Sequence, residues 1–258
     1  MNLVNPTYYR LELRRLRRDY VTLFFTIALP AFFFLIFGAS PEYGDEPVRN
    51  GNVAMWVLIN MTAYGAVTAT AGLGGAVALE RMQGWSRQIG LTPLTDRQYV
   101  SVKATVSATM AAIVILVIYA LGFATGAEAP LREWLLSGAI LLAGSLVFAL
   151  YGLNIGLAFR SEAAVSAAGG SLVILSFLGN IFIPLGGWQL TVARFTPLYG
   201  YAALARRPLT GGASFDQSTG EVLAASSIWA DVANMAGWFV VLATVSVWLV
   251  ARSRSRQA

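Results

Sequence analysis

The sequence predicts an all-α integral membrane protein with six transmembrane helices, and three observations carry that prediction. The 258-residue chain is 57% hydrophobic and only 12% charged, where an ordinary soluble domain has about 25% charged residues. Six apolar stretches reach the roughly 20 residues that a helix needs to cross about 30 Å of hydrocarbon. None alternates apolar and polar residues as a membrane barrel strand does, so helices are the remaining way to span. The spans are placed at 20–39, 53–79, 105–125, 134–159, 163–185 and 228–251, within one transmembrane domain covering 1–258.

Ahead of the first span, NPTYYRLELRRLRRDY reads as an amphipathic interfacial helix over 5–19. Asn5 is placed to cap it and Pro6 suits its first position. Tyr9, Leu13, Leu16 and Tyr20 fall within about one 60° sector at 100° per residue, with Arg10, Arg14, Arg17 and Arg18 on the flank and back. The aromatic stripe is expected in the headgroup boundary, with the arginines toward anionic lipid or a partner. Two roles fit: a simple topology anchor, or an elbow that helps to hold a cytosolic subunit. Within the first span FGASP loosely resembles a cleavage site, but the preceding basic region is long and patterned and Pro41 sits badly beside a cut, so the span reads as retained.

Between the second and third spans lies a polar island, ERMQGWSRQIGLTPLTDRQYVSVK, 80–103. Met82, Trp85 and Ile89 stand at i, i+3 and i+7 and share one helical face. Gly90 is a stop signal and Pro93 prevents continuation. Thr95 then opens the next helix, with Gln98 three residues on in a capping-box arrangement. Helix, tight turn, helix is the expected shape. Its small apolar face suits either a knob that fits a groove in another protein or an interfacial anchor with Trp85 in the headgroups.

The fifth span is followed by a cluster of Pro184, Gly186 and Gly187, expected to break it. Beyond, 188–227 contains an aromatic stretch interrupted by Pro197 and Pro208, too broken to span. It suggests short re-entrant or interfacial helices shielded by protein, then a polar loop, TGGASFDQSTGE, expected to be mobile. Asp231 opens the sixth span, where its charge suits a helix N-terminus.

Charge sets the expected orientation. Of the 18 basic residues, 13 fall in the N-terminal helix, the 80–103 island, Arg160 and the C-terminal tail; the other segments hold Arg49, Arg132, Arg194, Arg206 and Arg207. The positive-inside bias puts both termini in the cytoplasm, and topology accounts for the net charge of +5 without any nucleic-acid partner.

Several chemistries are excluded. The chain has no cysteine and no histidine, which removes disulfides, thiolate and imidazole zinc sites and any Ser-His-Asp triad. A phosphate-binding loop needs a Gly-rich turn followed by Lys; the lone lysine, Lys103 in SVKAT, has no glycine near it. LSG at 136–138 lies inside an apolar span and reads as coincidence. No Asp, Glu, Lys or Arg falls in the middle of a span, so a proton or sodium relay has no carrier, which favours an external energy source and leaves a passive channel open. An intramembrane lipid-modifying enzyme would need an acid cluster or metal ligands, and no such spacing occurs.

Taken together, the span ending in Glu80-Arg81, Gly84, the turn at Leu91 and Pro93-Leu94, and Lys103 resemble the second span and coupling segment of type-2 ABC exporter permeases. FIPLGGW (Phe182 to Trp188) and RFTPLYGYAALAR (Arg194 to Arg206) resemble that family's broken fifth span and the short outer helices that follow. The resemblance covers essentially the whole chain. One departure is that the family often has a more acidic ERE run where this chain has ERM.

The resemblance implies a dimer of this permease with itself or a paralogue, embedded in membrane lipid in the plasma (inner) membrane of a prokaryote. It implies two copies of a separate cytosolic ABC ATPase, which would bind ATP and Mg while this chain binds no cofactor. Glu80, Arg81, Met82, Gly84, Trp85, Ile89 and Leu91 would form the ATPase-coupling segment. By the same analogy the first, second and fifth spans form the pathway, with Asn60, Thr68, Phe177 and Asn180 on it. Polar span residues, including Thr62, Thr70 and Asn154, otherwise serve interhelical hydrogen bonds, and GLGG at 72–75 and the Gly152–Gly156 pair permit close helix contact. Aromatic and small residues without buried charge suggest a hydrophobic or amphiphilic cargo, such as a drug or lipid-like molecule. A non-transport protein of the same architecture, an immunity or sensor component, is the alternative.

Overall fold

In the computed structural model of the chain, residues 4–40, 42–84, 91–159 and 162–254 are described. The fold is mostly helical. Helix α1 (Pro6–Arg17) is capped as its sequence predicts, Asn5 Oδ1 accepting from the amides of Thr7 and Tyr8. Helix α2 (Tyr20–Phe37) carries a π-helical turn at Phe24–Ala28. Helices α3 (Val53–Met82) and α4 (Asp96–Ala124) form an antiparallel pair; α5 (Leu131–Ser145) and α6 (Val147–Phe159) make the next span in two pieces, interrupted at Leu146. Then come α7 (Glu162–Leu178), the short α8 (Gly187–Ala193) and α9 (Pro197–Thr210), and the long α10 (Ile228–Arg254).

Among the described residues five helices are long and apolar enough to cross a membrane: α2, α3, α4, the α5–α6 pair and α10. The expected fifth span, 163–185, is represented by α7, which ends at Leu178, earlier than the Pro184 cluster suggested. The chain turns at Asn180, whose φ of 59° lies in the left-handed region, a conformation that asparagine tolerates better than most residues. Its Oδ1 accepts from the Leu185 amide at 2.8 Å and holds the broken segment. The helix therefore ends at Gly179 and the left-handed Asn180, ahead of Pro184, and the Asn180 side chain ties down the segment that follows.

Helix α3 is the centre of the bundle. Most of its length is buried, whereas α2 and α10 expose most of theirs, as lipid-facing helices do. Glycine explains how α6 comes so near. A Cβ on Gly74 would collide with the carbonyl oxygen of Ala149, and one on Gly152 with that of Ala71. Two backbones thus touch reciprocally through the GLGG and Gly152 positions, the packing role expected of small residues. Polar groups add to it. Thr70 Oγ1 donates to Ser145 O at 2.7 Å, and Asn154 joins α6 to α10 through Leu242 O (2.9 Å) and Ser246 Oγ (2.6 Å), each worth about 0.6–2 kcal/mol in a membrane.

We call the end holding α1 the near end and the other the far end. At the far end the fold departs from pure α. Strands β1 (Pro47–Val48) and β2 (Gly51–Asn52) form one small antiparallel pair, and β3 (Ser214–Asp216) and β4 (Glu221–Leu223) another. The loop expected to be mobile is thus a hairpin. Its turn is held by Asp216 Oδ1, which accepts from the Ser218 amide (2.8 Å) and hydroxyl (2.6 Å).

Helix α1 corrects a second expectation. Its inward face packs on α4 rather than on headgroups: Leu16 and Glu12 are buried, Tyr9 Oη is 2.9 Å from Thr109 Oγ1, and Tyr8 stacks on Tyr99. Tyr20, expected in the same stripe, belongs to α2 and is exposed, because the helix ends at Arg17 and its axis changes. Arg10, Arg14, Arg17 and Arg18 are exposed, as their spacing predicts.

Candidate functional site

The near end is tied by a knot of charges. Glu80, in the last turn of α3 and 4% exposed, accepts on Oε1 from Arg15 Nη1 (2.8 Å) and Lys103 Nζ (2.7 Å), and on Oε2 from Tyr99 Oη (2.8 Å). Lys103 Nζ also donates to Glu12 Oε1 at 2.8 Å. Buried charges persist when each finds an opposite partner, and this arrangement pairs every one while joining α1, α3 and α4. Burial, helped by the Glu12 carboxylate, pushes the Tyr8 phenol well above its ordinary range.

The coupling segment divides around this knot. Glu80, Arg81 and Met82 finish α3 rather than opening a separate helix. Gly84 follows with φ +80°, a left-handed turn suited to glycine. Glu80 faces inward with both oxygens engaged, Met82 is exposed, and Leu91 is 90% exposed. Trp85 and Ile89 lie outside the described residues. Thr95 and Gln98 form the expected capping box at the start of α4, each side chain bonding the other's backbone amide.

A second constellation runs along α3. Trp56, Asn60, Tyr64, Thr68 and Gly72 recur every fourth residue and so lie on one ridge of the helix. At the far end Trp56, with Val53, Pro184, Thr210 and Phe215, lines a cleft of about 460 Å³. Nearer α1, Tyr64, Thr68 and Gly72 line another of about 510 Å³, walled by Thr22 and Phe25 of α2 and by Leu172 of α7. This cleft lies among the first, second and fifth predicted spans. Where the ridge passes from one cleft to the other, Tyr64, Phe33 and Phe177 surround Phe182, with ring centroids 5.0, 6.0 and 4.9 Å from it.

Asn60 and Asn180 meet at a residue that hydropathy placed in an outer segment. Arg206 of α9 is 5% exposed; its Nη1 donates to Asn60 Oδ1 at 2.6 Å and to Asn180 O at 2.8 Å. Its guanidinium carbon stands 5.6 Å from the Trp56 ring. A buried charge thus stands in the segment expected to have none, beside the ridge rather than in the lining of either cleft. Thr68 lines the near cleft and Phe177 belongs to the aromatic cluster, so the four residues expected on a path lie on or against the same ridge. Helical periodicity of α9 carried a signal for Arg206: it stands four residues after Ala202 and three before Leu209, on the buried face, while Arg207 turns away to pair with Asp231 at 2.8 Å.

The β3–β4 hairpin closes one side of the far cleft. Hydrogen bonds from the Ser218 hydroxyl and amide, and from the Gly187 amide, hold the Asp216 carboxyl below the usual carboxylate range.

These features define a multi-pass helical membrane protein whose central helix carries two clefts on one ridge. No family model matches the chain. Over 207 residues it is 27% identical to the Bacillus subtilis (strain 168) protein named "Putative transport permease YvfS", a match covering 78% of this chain and 83% of that one. The likeness supports a membrane permease role.

Proposed function

We propose that this chain is the membrane-spanning subunit of an ATP-driven exporter that moves a hydrophobic or amphiphilic small molecule out of the cell, with both termini in the cytoplasm of a prokaryote. It works as a dimer with itself or a paralogue, and two copies of a cytosolic ABC ATPase bind the ATP and Mg. The observation that carries the reading is the cleft among α2, α3 and α7, reached from the same helix whose last turn holds Glu80. A push on the segment after Met82 is transmitted to the wall of that cleft through the rigid length of α3. The exposed Met82 and Leu91 suit contact with a partner.

Co-expression with a cytosolic ATPase carrying Walker motifs, sought among the neighbouring genes, tests the assignment. The ATPase is expected to co-purify with wild type and to be lost from the double variant Trp85→Ala, Ile89→Ala. Unchanged assembly and ATP hydrolysis in that variant, or ATP hydrolysis by this chain purified alone, would overturn it.

A further inference from the structure

We infer that Arg206 and Asn60 form an anion site, and that the cargo is an amphiphile with an anionic head such as a phosphate or carboxylate. The inference rests on the transport reading above and narrows it to a chemical class. Asn60 stands seven residues into α3, about 10 Å along its axis, so Arg206 reaches far below the far-end surface. An arginine cannot shed its charge, and a buried charge is costly unless it is both hydrogen-bonded and paired; Arg206 has the hydrogen bonds.

Among the described residues no carboxylate is in ion-pair contact with it, and Asp231 acts on it only from a distance. The ion pairs present engage Arg15, Lys103 and Arg207; Asp231 is held by Arg207, and the contacts of Arg206 are the neutral oxygens of Asn60 and Asn180. A second, independent observation points the same way. Asn60 is fully buried, and its Nδ2, a donor, has no partner, a vacancy that costs about 1–3 kcal/mol unless filled. An anionic oxygen beside the guanidinium satisfies both donors. Trp56 links this point to the far cleft, and the ridge leads from it past Tyr64 and Phe182 to the apolar near cleft, which suits a tail.

The test is calorimetric titration of the full chain in nanodiscs of zwitterionic lipid, corrected with empty discs, using octyl phosphate, octyltrimethylammonium and inorganic phosphate. Wild type is expected to prefer octyl phosphate over octyltrimethylammonium by about tenfold or more, the worth of a charged hydrogen bond. Asn60→Asp places a carboxylate against Arg206; the preference is expected to vanish while thermal stability holds or rises. Arg206→Lys is expected to keep a reduced preference.

Equal binding of the two amphiphiles by wild type, or an unchanged preference in Asn60→Asp, overturns the site and leaves Arg206 as a strut between α3 and the α7 break. Inorganic phosphate binding as tightly as octyl phosphate overturns the amphiphile assignment. These readouts need no ATPase, so unchanged ATPase assembly in the Trp85→Ala, Ile89→Ala variant would remove the exporter reading while leaving the anion site measurable.

Discussion

The charge knot at the near end makes a quantitative prediction about stability. Lys103 and Glu80 lie 2.7 Å apart with side chains 11% and 5% exposed, which at an effective dielectric near 20 is a gross attraction of about 6 kcal/mol. Desolvation cancels much of it, and removing one member of such a pair typically costs about 3–5 kcal/mol because the other is orphaned. Glu80→Gln orphans nothing completely, since Lys103 keeps Glu12 at 2.8 Å, so about 2–3 kcal/mol is expected. Lys103→Met is worse: Glu12 loses its ion-pair partner, and Glu80 keeps the neutral Tyr99 hydroxyl and, as its cation, the well-exposed Arg15, an exposed pairing of little worth. About 3–5 kcal/mol follows. Thermal unfolding in detergent is the assay, at about 2–4 °C per kcal/mol for a chain near this size. The double variant is expected to be less destabilised than the sum of the singles by at least about 1 kcal/mol. Additive shifts, or a Glu80→Gln melting temperature equal to wild type, would refute the claim that this knot clamps α1, α3 and α4.

Two further outcomes are expected. Gly152→Val drives a branched side chain into the Ala71 carbonyl and should lower stability by about 1–3 kcal/mol or more, whereas Gly72→Ala, with nothing within 4 Å of the added carbon, should stay within about 0.5 kcal/mol; melting curves of both decide. The Asp216 carboxyl titrates below its unfolded value near 3.9, so its hold on the β3–β4 turn is complete above that pH and is lost as pH falls through the lower, folded value. Hydrogen exchange at 214–223 should show the turn opening in acid for wild type and no such acid step in Asp216→Asn.

How much was legible follows from where each signal resides. Caps are local: Asn5 with Pro6 and Thr95 with Gln98 act within a turn of themselves, and the structure uses each as its spacing suggests; of the GLGG run it is Gly74 that meets another helix closely, while Gly72 faces open space. Arg206 is the opposite case. A hydropathy average reads it as one more outer cation between two prolines, but its environment is made by Asn60, 146 residues away, and by Asn180, 26 residues away. Glu80 was readable as the end of a span yet not as inward-facing, because its partners come from α1 and α4. The early end of α7 had a local signal in Gly179-Asn180, a glycine and an asparagine of the kind that stop helices, but it lies inside an apolar run whose hydropathy carries on to Leu185.

The reciprocal glycine contact between α3 and α6 has a mechanical meaning. Where two helices meet through side chains, rotamer changes let one slide or roll against the other; where backbone meets backbone, that slack is gone. The seam at Gly74–Ala149 and Gly152–Ala71 therefore welds α3 and α6 into a single strut. A push that arrives along α3 therefore carries α6 with it, and the pair works against the other walls of the near cleft, α2 with its π-helical turn and α7 with its early end at Asn180.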